Sequence, residues 1–278
     1  MKLALGTVQF GLEYGISNID GQISFDEAKE ILSIAKPNNI SVLDTASAYG
    51  SSESILGNLG VSEFNIVTKF SNSNILKNFT DSIKLLKVNS LDGYIAHNAN
   101  VLIENQNIWG ELLKLKKDGK INKVGYSIYT CSELDKLLEL GFIPDLVQVP
   151  YNFLDRRFES YFPILKKMGC EIHTRSTFLQ GLYFLDVNSL PAFFDPIKPY
   201  IKQLNGICPT SQLKAEALLH FCMSNNNIDK VVVGVSSAKE LNEIISGMHK
   251  GTVNLNEFEV DFNSFPEEIL LPYNWPKT

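Results

Sequence analysis

Four polar side chains stand at or just beyond the ends of short apolar runs in the first hundred residues. They are Asp44, Tyr49, Lys69 and His97. A free tyrosine titrates near pH ~10 and is a poor acid at neutrality. An ammonium beside it stabilises the phenolate, so Lys69 is expected to lower the pKa of Tyr49 toward working pH. Asp44 is expected to pair with Lys69 and keep it charged in a partly dry site, where an unpartnered lysine is costly. His97 is placed to donate a hydrogen bond to a substrate oxygen as negative charge develops on it. Singly, each group has an ordinary explanation: a helix cap, a solvated lysine, a packing ring. Together they make a device for protonating an alkoxide. The set has no nucleophile–base pair and no metal cluster. Side chains do not donate hydride, so a reduction here requires a nicotinamide cofactor.

The elements that must position these groups follow a strict rhythm. Strands are expected at Leu3–Val8, Val42–Thr45, Ile66–Phe70, Gly93–His97, Lys123–Ser127, Leu146–Pro150, Glu171–Ser176 and Lys230–Val235, each short, apolar and bounded by turn formers. Helical patterns lie between them. Phe25–Ala35 follows Ser24, with Glu27 completing an expected capping box. Ile108–Lys117 ends at Asp118-Gly119 and Ser132–Leu140 at Gly141, while Thr210–Cys222 and Ala238–Met248 supply the last two. Parallel strands need crossover helices, so this alternation predicts an α/β fold, a (β/α)8 TIM barrel, with residues 1–278 as a single domain. The alternative is an open doubly wound sheet, but Gly6-Thr7-Val8-Gln9-Phe10-Gly11 lacks the G-x-G-x-x-G spacing such a sheet usually shows after its first strand. In a barrel, catalytic groups sit at the C-terminal ends of strands, where these four residues fall.

Composition narrows the partners. With 44% hydrophobic and 20% charged residues the chain is ordinary globular protein. A net charge of -6 argues against a nucleic-acid surface. Cys131, Cys170, Cys208 and Cys222 are scattered and read as reduced thiols. No apolar run approaches the ~20 residues of a membrane span, and the N-terminus lacks a signal-peptide pattern, so a cytoplasmic location is expected. The oligomeric state is not written in the sequence. The longest interruption, Thr177–Pro209, carries four prolines and is expected to be a functional loop. The segment after Lys250 is expected either to cross one barrel mouth or to pack beneath the barrel.

Asp44-Thr45-Ala46-Ser47-Ala48-Tyr49-Gly50, followed by Ser52-Glu53 and Leu56-Gly57, resembles the signature of the aldo-keto reductases. Thr68-Lys69 and His97 fall where that family has its catalytic lysine and histidine. Gly119-Lys120-Ile121, Gly125-Tyr126-Ser127, Gln148 with Tyr151-Asn152, and Gln180-Gly181-Leu182 continue the likeness along nearly the whole chain. The resemblance implies reduction of a small-molecule carbonyl with NADP(H), or alternatively NAD(H). It implies that Ser127 and Gln148 hold the nicotinamide carboxamide. It also implies that Gly6 and Thr7, and the loop through Arg175, Ser176, Phe178, Gln180 and Gly181, contact the cofactor. The turn Gly234, Val235, Ser236, Ser237, with Lys239 nearby, would take the adenosine phosphate end, at a helix N-terminus that favours anions.

Four departures stand out. Ile128 replaces an Asn expected beside Ser127, and Arg175 stands where many members stack a Tyr on the nicotinamide. Glu240 occupies an Arg/Gln position, and Asn98 follows His97 where many reductases have a Trp. The N-terminal stretch Leu5–Ile16 is similar to a bacterial subgroup associated with surface-sugar biosynthesis, which implies a sugar or nucleotide-sugar substrate. Two other readings use the same residues: a non-catalytic nicotinamide-binding redox sensor, and a lyase with Lys69 as a Schiff base.

Overall fold

The computed structural model describes residues 1–16, 18, 21–248, 253–255, 258, 260, 261 and 265–276. Eight parallel strands, β1 (Leu3–Gly6), β2 (Val42–Asp44), β3 (Asn65–Phe70), β4 (Leu91–Ala96), β5 (Ile121–Ser127), β6 (Leu146–Pro150), β7 (Glu171–Arg175) and β8 (Lys230–Gly234), close in chain order into a barrel. Closure is made by β1, which pairs with β2 on one side and with β8 on the other.

The strands are buried on both faces, and the sequence shows why. Ala4, Val42, Val67, Ile95, Leu146 and Val232 form a small separate cluster that fills the barrel interior. Alternate residues point outward into the larger core shared with the surrounding helices, among them Leu3, Leu5, Leu43, Ile66, Val231 and Val233. Side chains alternate with period two along a strand. The next inward positions are therefore Gly6, Asp44, Lys69, His97, Gln148 and Gly234, each two residues beyond a member of the interior cluster. One period lays an apolar layer and, directly above it, the polar layer of the site.

Several boundaries differ from the sequence reading. Strand β1 stops at Gly6 because Val8–Gly11 turns into a short helix, and β7 stops at Arg175 because Ser176 adopts a left-handed φ of 65°. Ser24 caps the helix Phe25–Ala35, accepting from the Glu27 N–H, but the expected reciprocal bond is absent. Glu27 instead accepts from the Ala238 N–H at 2.6 Å, tying this helix to the start of the last one, Ala238–Gly247. Thr177–Pro209 is not a bare loop: it contains 3-10 turns at Leu179–Phe184 and Ala192–Ile197 and a helix at Lys198–Ile207. Its prolines misled the reading, since Pro199 sits in the first turn, where a missing N–H costs nothing. Residues 267–275 of the C-terminal segment lie at the mouth where the strands end. Tyr273 packs edge-on against Tyr129, Trp275 against Phe194, and Glu267 pairs with Arg157, and all three partners follow strand C-termini.

A charged cluster closes the opposite end of the barrel. Glu171 accepts from His173 at 2.7 Å and pairs with Lys123 at 2.7 Å, which also reaches Asp92 at 2.9 Å. The His173 bond, reinforced by Lys123 against the cost of burial, holds the Glu171 carboxyl down at about 2. A depressed carboxyl stabilises the fold above its ordinary range near 4.5, and the contribution disappears as pH falls to about 2. Glu171→Gln is expected to lose on the order of 3 kcal/mol at neutral pH. Urea titrations of both proteins at several pH values check this: the gap should close below pH 4, and a constant gap would refute the assignment.

Candidate active site

Asp44 ends β2, Lys69 is the penultimate residue of β3 and His97 follows β4 directly. Lys69 is fully buried and donates to Asp44 Oδ1 at 2.5 Å and to the Thr45 carbonyl at 3.1 Å. The second Asp44 oxygen accepts from the Gln148 amide at 2.7 Å. Both carboxylate oxygens thus have charged or polar donors, the condition under which a buried pair is tolerable.

Tyr49 lies in the loop before the helix Ser52–Leu59, and two glycines hold its backbone in place. A Cβ on Gly11 would stand 1.8 Å from the Tyr49 carbonyl, and Gly50, at a φ of 54°, would clash with the Gly11 carbonyl in the same way. Beneath, Ser52 donates to the Thr7 carbonyl at 2.9 Å, and Thr68 donates to Glu53 at 2.6 Å. The Ser-Glu of the signature is therefore scaffolding for the loop that carries the phenol.

The half-buried Tyr49 ring packs edge-on against His97, with centroids 5.5 Å apart, and the Lys69 ammonium lies 5.1 Å from its centroid. Its pKa runs opposite to the sequence expectation. Burial, and then the Asp44 carboxylate, push the phenol far above its ordinary value of 10, and Arg175 is the cation that opposes them. The cation that acts on the neutral phenol is Arg175, while Lys69 is bonded to Asp44, whose carboxylate raises the phenol pKa. Burial also lowers Lys69 itself, against the pull of Asp44. Burial and then the Lys69 ammonium bring His97 down to about 4, so it is neutral at working pH. Arg175 adds to that depression, which gives a direct check by NMR titration of the imidazole. His97 is expected to titrate near 4, and Arg175→Leu is expected to move it upward. A titration near 6.5 in the wild-type protein would contradict this electrostatic picture.

A groove of about 400 Å³ runs from Asp44 and Tyr49 toward the start of the last helix. Of the residues singled out from the sequence, Gly6, Thr7, Gln148, Arg175, Ser176, Phe178, Gln180, Gly181, Gly234 and Ser236 line it. Three other cofactor candidates do not, and of the catalytic four neither do Lys69 and His97. Ser127 is buried beside Gln148, where Arg175 lies across the end of β5 and donates to the Ile128 carbonyl at 3.1 Å. Val235, one residue past the inward Gly234, faces the outer core. The Lys239 side chain is 84% exposed and lies 3.8 Å from Glu243. Lys69 stands behind the lining, which denies a carbonyl access to its amine and leaves the Schiff-base reading without a reacting group.

Sequence reasoning missed Gln9, Tyr14 and Phe184 on the lining, and Ser237, from the turn it singled out, lies there too. Gln9 Oε1 is buried without a hydrogen-bond partner, an acceptor left for something the groove holds. Gln180 links to the opposite wall, donating from its side chain to the Tyr14 hydroxyl at 3.1 Å and accepting from the Ile16 N–H at 3.1 Å. Ser176, Leu179, Gln180 and Gly181 all hold positive φ. Three of these are not glycine, and such strain clusters at ligand-binding loops. Only Gly181, within the quoted motif, gave a sequence signal for that conformation.

Among the described residues no group of His, Cys, Asp and Glu could hold a metal ion, and no helix is long and apolar enough to cross a membrane.

Comparison with known proteins places this geometry. The model of the aldo/keto reductase family matches residues 2–259. Oxidoreductase sirO of Leptosphaeria maculans is 26% identical, covering 90% of this chain and 89% of its own. Glyoxal reductase of Bacillus subtilis is 27% identical over 56% of this chain and 60% of its own. Among solved structures, the holo form of an aldo-keto reductase from Bacillus halodurans superposes with a TM-score of 0.74 at 21% identity, covering 92% of this chain and 89% of that one. A glycerol dehydrogenase from Gluconobacter oxydans gives 0.69 at 18%, covering 91% and 88%. These last two likenesses are of fold. The family match spans the strands, the tetrad and the groove alike, and on it the chain belongs to the aldo/keto reductase family.

Proposed function

We propose that this protein reduces an aldehyde or ketone at the expense of a nicotinamide dinucleotide, with Tyr49 as the proton donor and residues 1–278 acting as one unit. The observation that carries the reading is the Tyr49 ring beside a buried Lys69–Asp44 pair, at one end of a groove of about 400 Å³ whose lining reaches the start of the last helix. When bound there, the nicotinamide supplies hydride to the carbonyl carbon.

The rest is work for the chain. An alkoxide is a far stronger base than a phenolate, so an acid kept fully protonated at neutral pH is suited to quench it. An ordinary phenol is already in that form at neutral pH, and burial shifts Tyr49 further toward it. The phenolate left behind faces the Lys69 ammonium, which Asp44 holds in position. Neutral His97, against the Tyr49 ring, orients the substrate oxygen with an N–H. Gln148 spends its amide nitrogen on Asp44, leaving its carbonyl oxygen to accept from the nicotinamide carboxamide. Gly6, Thr7 and the strained Ser176–Gly181 loop hold the dinucleotide backbone. Tyr14 on the groove wall, and Tyr129 and Tyr273 at the mouth, offer aromatic faces and hydroxyls to a polar, sugar-like substrate.

The test is titration of protein fluorescence with NADH and NADPH, followed by aldehydes, ketones and sugars added to the complex. Saturable quenching and carbonyl-dependent oxidation of the dinucleotide are expected. Binding without turnover on any carbonyl would favour a sensor, and no binding would end the reading.

A further inference from the structure

The far end of the groove opens into a second cavity of about 280 Å³ that shares Phe178, Phe184 and Glu240 with it. Phe178, Phe184, Leu219 and Ile244 give this cavity an apolar floor of the kind that suits a flat base. Its rim carries charge of one sign only: Glu216, Glu240 and Glu243 line it, and no lysine or arginine does.

NADP(H) differs from NAD(H) by one phosphate, on the 2′-hydroxyl of the adenosine ribose. That group carries roughly −1.5 to −2 charge at neutral pH and needs a guanidinium, an ammonium or unfilled backbone donors. The sequence places such donors at the Gly234–Ser237 turn, but three backbone donors at and just after that turn are already taken from within. The Ser236 N–H donates to Glu240 at 2.8 Å, the Ala238 N–H to Glu27 at 2.6 Å, and the Glu240 N–H to the Ser237 hydroxyl at 3.1 Å. Two carboxylates of the chain thus sit where a phosphate would have to bind. Nearby cations do not offset them: Lys239 extends into solvent beside Glu243, and Lys214 donates to the Tyr183 carbonyl at 2.8 Å. A ribose carrying both hydroxyls, in contrast, can donate to a carboxylate. The groove leading there has its own unmet acceptor in the buried Gln9 Oε1, beside Gly234.

We propose that this cavity takes the adenosine of NAD(H) and rejects that of NADP(H), with Glu240 as the selecting residue. The proposal rests on the reductase reading above and reverses the cofactor preference implied by family resemblance alone.

Isothermal titration of the wild-type protein with NADH and with NADPH is the test, repeated on Glu240→Gln and Glu240→Arg. NADH is expected to bind about tenfold or more tightly than NADPH. Glu240→Gln keeps an oxygen for the Ser236 N–H but removes the charge, so the ratio should narrow, chiefly through tighter NADPH binding. Glu240→Arg should invert it. If circular dichroism shows either variant unfolded, Glu243→Gln and Glu216→Gln should narrow the ratio by smaller factors. NADPH binding as tightly as NADH in the wild type, or a ratio unmoved by the folded variants, overturns the selection while leaving the reductase intact. Failure of both dinucleotides to bind removes the reductase reading, and the selection with it.

Discussion

Tyr49→Phe is expected to lower kcat with an aldehyde or ketone by roughly 10²–10⁴-fold, the span attributed to general acid catalysis, while the affinity for the dinucleotide is unchanged. The substitution is structurally mild. Phenylalanine keeps the edge-on contact with His97 and the face presented to Lys69, and the Gly11–Gly50 contact that fixes the loop is made by backbone. What disappears is one proton that no neighbour can supply. Lys69 is buried behind the lining with its ammonium bonded to Asp44 and Thr45, and His97 is neutral, so its remaining N–H is a poor acid. The loss should therefore fall on kcat, because the proton is needed only as charge develops. Steady-state kinetics alongside dinucleotide titration measure both quantities. A variant that retains near-normal turnover removes Tyr49 from its role; one that also fails to bind dinucleotide shows that the hydroxyl shapes the groove instead.

How much of this was legible beforehand follows from one distinction, between what strand periodicity dictates and what depends on side-chain direction in three dimensions. The eight strands, their order and the inward line of Asp44, Lys69, His97 and Gln148 follow from period-two patterning and a short list of turn residues. Gly119 and Gly141 show the left-handed φ expected at the helix ends they terminate. Glu27 defeats the same logic. Its spacing from Ser24 fits a capping box, yet a stronger partner, the open N–H of Ala238, comes from a residue 211 positions away. The capping box is formed by Thr130 and Glu133 instead. Arg175 is a second case. It stands where many members stack a Tyr on the nicotinamide, and its guanidinium lies 4.0 Å from the centre of the Tyr129 ring, a contact the sequence does not reveal. From there it acts on the site through charge, opposing the rise in the Tyr49 pKa that Lys69 was expected to offset. Glu240 stood out only as a departure from pattern. The direction of its effect became readable once its carboxylate was seen on the Ser236 N–H.

The buried pair beneath Tyr49 sets up a second large effect, which separates chemistry from scaffolding. Asp44→Ala leaves the fully buried Lys69 with the Thr45 carbonyl as an acceptor but no counter-ion, and strips the Gln148 amide of its Asp44 partner. Breaking a buried ion pair from one side costs about 3–5 kcal/mol, and chemical denaturation should report a loss of that size at neutral pH. Replacing both partners by apolar residues of similar volume, Asp44→Leu with Lys69→Met, removes the uncompensated charge, so most of the stability should return. Activity should not. The phenolate would then form without the Lys69 ammonium that lies 5.1 Å from the ring centroid, and kcat should stay near that of Tyr49→Phe. A double variant as active as the wild type would mean that the pair serves only to hold the strands together. An Asp44→Ala protein as stable as the wild type would mean that Lys69 gives up its proton when left alone, a change open to NMR titration of the labelled ammonium.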